Sequence, residues 1–136
     1  MMIEAARATR RVVQVGTQRR SSPDFQKAVA VLRAGRLGKL RSAKALNSQR
    51  RANIGKKADA PTPPGVNYDL WLGPAPTRPF NPNRFHYNWH WFWDYGTGDL
   101  GNDGVHHVDV ARWGLGVGAP LRVTSAGGKL HFDDDQ

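Results

Sequence analysis

The chain has 136 residues, 39% of them hydrophobic, with no cysteine and a formal net charge of +9. This length suits one modest domain, and the missing cysteines exclude disulfides, thiolate nucleophiles and zinc–sulfur centres. No apolar run reaches the 18 or so residues of a membrane span, and Met1-Met2-Ile3-Glu4-Ala5-Ala6-Arg7 lacks the hydrophobic stretch of a secretory leader, so the expected location is cytoplasmic.

The charge is unevenly spread. Residues 1–58 carry 15 Lys and Arg against only Glu4 and Asp24, a net of +13, whereas residues 59–136 have a net of −4. Such asymmetry suits nucleic acid, an anionic cofactor, or a surface that meets another part of a larger protein. The Arg50-Arg51 and Lys56-Lys57 pairs are too short to specify nucleic acid, and a basic nucleic-acid-binding protein is the least favoured reading.

In chain order, residues 2–10 read as a short helix and Val12-Val13-Gln14-Val15-Gly16 as a buried strand. Ser22 and Pro23 mark a helix start. Phe25, Ala28, Val29 and Leu32 give that helix an apolar stripe, and Gly35 closes it. Leu40 to Leu46 reads as extended. Residues 53–67, with Gly55, Gly65 and Pro61-Thr62-Pro63-Pro64, read as an exposed loop. Phe85 to Trp93 places aromatics on alternate positions, as in a half-buried strand. A helix is expected at about residues 102–114, ended by Gly114, Gly116 and Gly118, then a strand from Leu121 to Ala126. Asp133-Asp134-Asp135 reads as a solvated tail. This order predicts an α/β (α+β) fold.

The run Gly98-Asp99-Leu100-Gly101-Asn102-Asp103-Gly104-Val105-His106-His107, followed by Val108-Asp109, is the most informative segment. A glycine turn feeding a helix brings Asn102 with His106, and Asp103 with His107, onto shared faces. His106 suits acid/base work, or a simple hydrogen bond at a helix end. Asn102 could orient it or hold a substrate hydroxyl, but carries no charge and takes no proton. Asp109 reads as a substrate ligand, a support for His106, or an ion-pair partner of Arg112. Arg19 and Arg20, at a strand exit, suit phosphate or carboxylate. His86 and His90 add to the histidines, but no metal-binding motif occurs, and no metal is expected. The tryptophans read mainly as core or subunit interface, with stacking on sugars or bases as the alternative.

Gly96-Thr97-Gly98-Asp99-Leu100-Gly101-Asn102-Asp103-Gly104-Val105-His106-His107-Val108-Asp109 resembles the glycine-rich, Asp-to-His segment of the glucose-fructose oxidoreductase / inositol dehydrogenase / MocA (Gfo/Idh/MocA) family. Thr97 replaces a glycine of that pattern and Asn102 its aspartate. Val15-Gly16 through Arg20 and Pro23, Leu32 through Leu40, Trp71-Leu72-Gly73-Pro74-Ala75-Pro76 and Trp89-His90-Trp91-Phe92-Trp93-Asp94 are similar to family segments in the same order.

The resemblance implies an NAD(P)-dependent dehydrogenase of a sugar, cyclitol or related polyol. It implies that residues 1–21 end a Rossmann domain. Residues 22–130 would form part of a substrate-binding and oligomerisation domain, an open, mainly antiparallel sheet with helices on one face, and 131–136 an acidic tail. A homo-oligomer through the sheet face is expected, with no membrane partner. The implied catalytic residues are His106 and Asn102. Asp103, His107 and Asp109 are implied for substrate, and Gln18 and Arg20 for NAD or NADP. The family's phosphate-binding glycine loop and Glu-Lys-Pro segment have no counterpart in the chain, which looks like the central piece of a larger enzyme. Alone, it is expected to be inactive. A non-catalytic polyol-binding or oligomerisation module is the main alternative.

Overall fold

Helix ends in this chain are set by a few capping and turn residues. The computed structural model describes residues 1–136. It contains helices α1 (Met2–Thr9), α2 (Pro23–Arg33), α3 (Tyr68–Leu72), α4 (Gly98–Asn102) and α5 (Gly104–Leu115), and 3₁₀ turns at Gln18–Ser21, Pro82–Arg84 and His86–Trp91. Pro23 opens α2, where its missing N–H has no intrahelical partner to lose, and Asp24 adds a negative charge to the first turn. Ser22 stands at the N-cap, but only its carbonyl is used, accepting from Gln26 N at 3.0 Å. Asn67 caps α3 directly, its Oδ1 accepting from Leu70 N at 2.9 Å. Gly116 ends α5 in the left-handed conformation, φ +70°, which glycine adopts without steric cost.

α5 is the hub, packing against α2, α4 and the Gln18–Ser21 turn. Its approach to α2 depends on Gly114, where a Cβ would lie 3.2 Å from Leu32 Cδ1. A second cluster is aromatic: Trp71 of α3 lies 5.2 Å, centroid to centroid, from both Phe85 and Tyr95, and Phe80 lies 5.2 Å from Phe85. Such tilted and edge-to-face pairs add about 0.5–1.5 kcal/mol beyond area burial. Leu72 and Phe80 are buried here, and Val29 and Phe92 complete the buried apolar set.

The expected sheet is absent: no β-strand occurs. The Rossmann remnant and the sheet-based substrate domain are both overturned, and with them oligomerisation through a sheet face. A strand needs a partner to take its N–H and C=O groups. None reaches residues 12–16, 40–46 or 121–126, which remain irregular. Val12 is 98% exposed, so residues 12–16 are not a buried strand. Leu121 and Val123 are likewise exposed, and so is Leu46. In the aromatic segment, local hydrogen bonds replace the ladder, coiling His86–Trp91 into a 3₁₀ turn despite the alternating pattern. No helix is long and apolar enough to cross a membrane.

The C-terminal acids also depart from the solvated tail. Asp134 is buried, accepting from Ile54 N at 3.3 Å and pairing with Lys129. Asp135 accepts from Lys57 N and Asn83 Nδ2, each at 2.8 Å, and these bonds hold its carboxyl below the usual range. Asn83, only 1% exposed, also donates to Gly55 O at 3.1 Å. Asn83→Ala is expected to destabilise the chain by about 1–3 kcal/mol in urea unfolding, because it removes both hydrogen bonds donated by the buried amide, to Gly55 O and Asp135 Oδ2. Asp133→Asn, which loses only an exposed pair with Lys56, should stay within about 0.5 kcal/mol.

Candidate functional site

The glycine segment folds as two short pieces, α4 and the start of α5, rather than one helix. Between them and the His86–Trp91 turn lies a cavity of about 310 Å³, walled by Trp89, His90, Thr97, Asn102, Val105 and His106 together with glycines. Close approach explains two of these glycines. A Cβ on Gly96 would sit 2.5 Å from the His90 carbonyl oxygen, and one on Gly101 would meet Thr97 Oγ1.

His106 contributes an imidazole whose Nδ1 is buried with no hydrogen-bond partner. The Asn102 side chain is exposed on the same wall. His90 is buried beside them. Its Nδ1 meets the Tyr87 carbonyl, which assigns the donor proton to that nitrogen. Its Nε2 lies 3.5 Å from Asp99 Oδ1, a contact outside hydrogen-bond geometry that leaves this nitrogen unpaired. The cavity is therefore lined by the His106 imidazole, with its unpaired nitrogen, and by one amide, a set able to exchange a proton with a hydroxyl and orient it.

Behind the cavity stands Arg51. It grips Asp99 with two bonds, Nε to Oδ2 at 2.8 Å and Nη2 to Oδ1 at 2.5 Å. It also reaches Asp103 Oδ2 at 3.3 Å and the Tyr87 hydroxyl at 2.9 Å. Its guanidinium carbon lies 5.5 Å from the Tyr87 ring centroid and 5.6 Å from that of Trp91. The bond to Asp99 raises the Arg51 pKa, and Arg51 in turn holds the Asp99 carboxyl below its ordinary value. Asn47 Nδ2 donates to Asp99 O at 2.9 Å, fastening the same strap.

The remaining expected residues point elsewhere. Asp103 is taken by Arg51 and Gln49. His107 lies on another wall of α5, its Nδ1 accepting from Arg19 Nη1 at 3.3 Å beside an apolar groove. Asp109 is bound by Arg20 through bonds of 2.7 and 2.8 Å, and these lower its pKa. The Arg20 guanidinium also lies 5.2 Å from the Trp113 ring centroid. Gln18 is exposed at the start of its 3₁₀ turn. Arg20 is thus already committed to Asp109. No group of three or more His, Asp or Glu side chains is placed to hold a metal.

Arg51, Asp99 and His90 were missed as site-supporting residues. Arg51 and Asp99 are 48 positions apart, and no periodicity joins them. The only signals were an arginine doublet in a loop and a carboxylate inside the glycine run.

The Asp99 shift makes a signed prediction. The bond from Arg51 holds the Asp99 carboxyl below the ordinary value of 3.8. The stabilisation is therefore complete above about pH 4 and is lost as pH falls through the depressed folded value. Arg51→Met should flatten this acid limb in pH-dependent thermal unfolding while lowering stability near neutrality. Gly96→Ala should cost about 1–3 kcal/mol, because its methyl group must displace backbone at His90 rather than a flexible side chain.

A family model described as "Oxidoreductase family, C-terminal alpha/beta domain" (GFO_IDH_MocA_C2) matches residues 47–134, a stretch that holds the Arg51 strap, the cavity and all of α5. No curated protein and no solved structure matches the chain. The family description includes β structure, which this backbone does not form. On the match over more than half its length, the chain belongs to the Gfo/Idh/MocA oxidoreductase family through that C-terminal domain.

Proposed function

We propose that the chain supplies the substrate side of an oxidoreductase acting on a sugar, cyclitol or related polyol. The observation that carries this reading is the His106 imidazole, which lines a cavity with Asn102 and keeps a buried nitrogen unpaired. A hydroxyl entering the cavity meets an amide able both to donate and to accept. His106 takes the hydroxyl proton as the carbinol carbon is oxidised and returns it in the reverse direction. His90, anchored on the Tyr87 carbonyl, closes the wall behind the substrate. In this reading residues 22–130 are the substrate-binding unit.

NAD or NADP is the redox partner implied at the level of the family. The residues of this chain do not cradle it, and their own contribution is confined to the hydroxyl and its proton. The commitment of Arg20 to Asp109 favours a second reading, a polyol-binding module without turnover.

The test is titration of the chain with myo-inositol and with glucose, following the His106 ring signals by NMR. The expected result is a saturable shift of those signals, weakened about five- to tenfold by Asn102→Ala for the loss of one or two hydrogen bonds. Polyol affinity measured by calorimetry should fall about five- to tenfold in His106→Ala as well. Affinity untouched by His106→Ala selects the module, and static His106 signals with both polyols refute both readings.

A further inference from the structure

On the far side of the aromatic turn, sharing no residue with the His106 cavity, lies a polar cleft of about 580 Å³. That size falls within the roughly 300–1,000 Å³ of small-molecule sites. Two ion pairs stand in its walls. Arg84 Nη2 donates to Asp59 Oδ1 at 2.8 Å, and Arg78 pairs with Asp94. Asn81 Nδ2 braces Asp59 Oδ1 at 3.0 Å. The lining cations Lys57, Arg78 and Arg84 are matched by the carboxylates of Asp59, Asp94 and Asp135. Trp93 also lines the cleft and is 87% exposed, a large indole left in water.

We propose that this cleft is a binding site for a neutral saccharide, seated on Trp93 and hydrogen-bonded by the Asp59–Arg84 and Arg78–Asp94 pairs. Charge balance selects the ligand class. An anion would meet Asp59 and Asp94, and a cation would meet Arg78 and Arg84. Neighbouring hydroxyls suit both signs at once, one donating to a carboxylate oxygen while the next accepts from a guanidinium. The groups needed are unspent: the existing bonds use Asp59 Oδ1, Asp94 Oδ2 and Arg78 Nη1, leaving Asp59 Oδ2, Asp94 Oδ1 and the other Arg78 N–H groups. Each pair is already held in place by its partner, which reduces the ordering cost of binding. The C–H face of a pyranose is apolar and matches the face of an exposed indole, while its hydroxyl rim reaches the polar wall. None of this uses His106 or Asn102, so the site stands apart from the oxidoreductase reading.

The experiment is titration of the full chain with methyl α-glucoside and with cellobiose, following the indole Nε1–H signals by NMR. The Trp93 signal is identified by its loss in Trp93→Ala. The expected result is a saturable shift of the Trp93 signal and binding weakened about tenfold by Trp93→Ala. Arg78→Met, which keeps the indole, should also weaken binding read at the Trp93 signal. A static Trp93 signal with both probes overturns the proposal. So does binding abolished by His106→Ala and untouched by Trp93→Ala, which places the sugar in the other cavity. Glucuronate binding more than tenfold tighter than glucose at Trp93 makes this an anion site and refutes the neutral class. A dimer seen by light scattering that Trp93→Ala dissolves, with no sugar effect, assigns the indole to self-association instead.

Discussion

Arg51 ties the irregular strap of residues 47–51 to the glycine segment and to the aromatic turn, three parts of the chain that no ladder joins. Exposed ion pairs contribute about 0–1 kcal/mol at most. This one differs in geometry and setting. The side chains of Arg51, Asp99 and Asp103 are 22%, 26% and 27% exposed, the Asp99 contact is bidentate, and two aromatic rings flank the guanidinium. Removing the cation would leave two carboxylates one helical turn apart and facing one another's field. That charge fastens α4, and with it the mouth of the His106 cavity, to the strap.

Reliance on such polar fasteners follows from how little the chain buries. Its accessible surface is 11184 Å² for 15.1 kDa, against about 7,100 Å² for a compact monomer of that mass. It makes 51 backbone hydrogen bonds, where a chain of this length ordinarily makes about 90. Four apolar side chains form the buried core, and hydrophobic burial alone would hold little. The charge asymmetry acquires a structural meaning here. Arg20–Asp109, Arg51–Asp99, Arg51–Asp103 and Lys56–Asp133 all link the basic first part to the acidic second. Part of the charge pattern that suggested an external anionic partner is satisfied within the chain.

The parts legible in the sequence were those governed by local chemistry. Pro23 set the start of α2, and glycines marked the ends of α2 and α5, because backbone freedom and a missing N–H act within one turn. The cavity pair His106 and Asn102 was legible for the same reason, four positions on adjoining helical pieces. What escaped depends on partners distant in the chain. Val12 to Gly16 and Leu121 to Ala126 have strand composition, but composition supplies no neighbour to accept their hydrogen bonds. The aromatic alternation from Phe85 to Trp93 misled because a 3₁₀ turn satisfies its backbone locally, and rings of any spacing can then gather around Trp71. Asp134 and Asp135 read as solvent-loving until Asn83, Ile54 and Lys57 bring buried or backbone donors to them.

The glycine segment shows why a motif can be recognised and its residues still not act together. Each step along an α-helix turns the side chain by about 100°, so Asp99, Asn102, Asp103, His106, His107 and Asp109 cannot share one wall. Asp99 and Asp103 meet Arg51, His107 meets Arg19, and Asp109 meets Arg20. Only Asn102 and His106 remain beside the cavity, and these two are also free of ion pairs. The carboxylates are consumed in holding α4 and α5 against the basic part of the chain. That leaves an uncharged amide and an imidazole as the polar side chains of this segment beside the cavity.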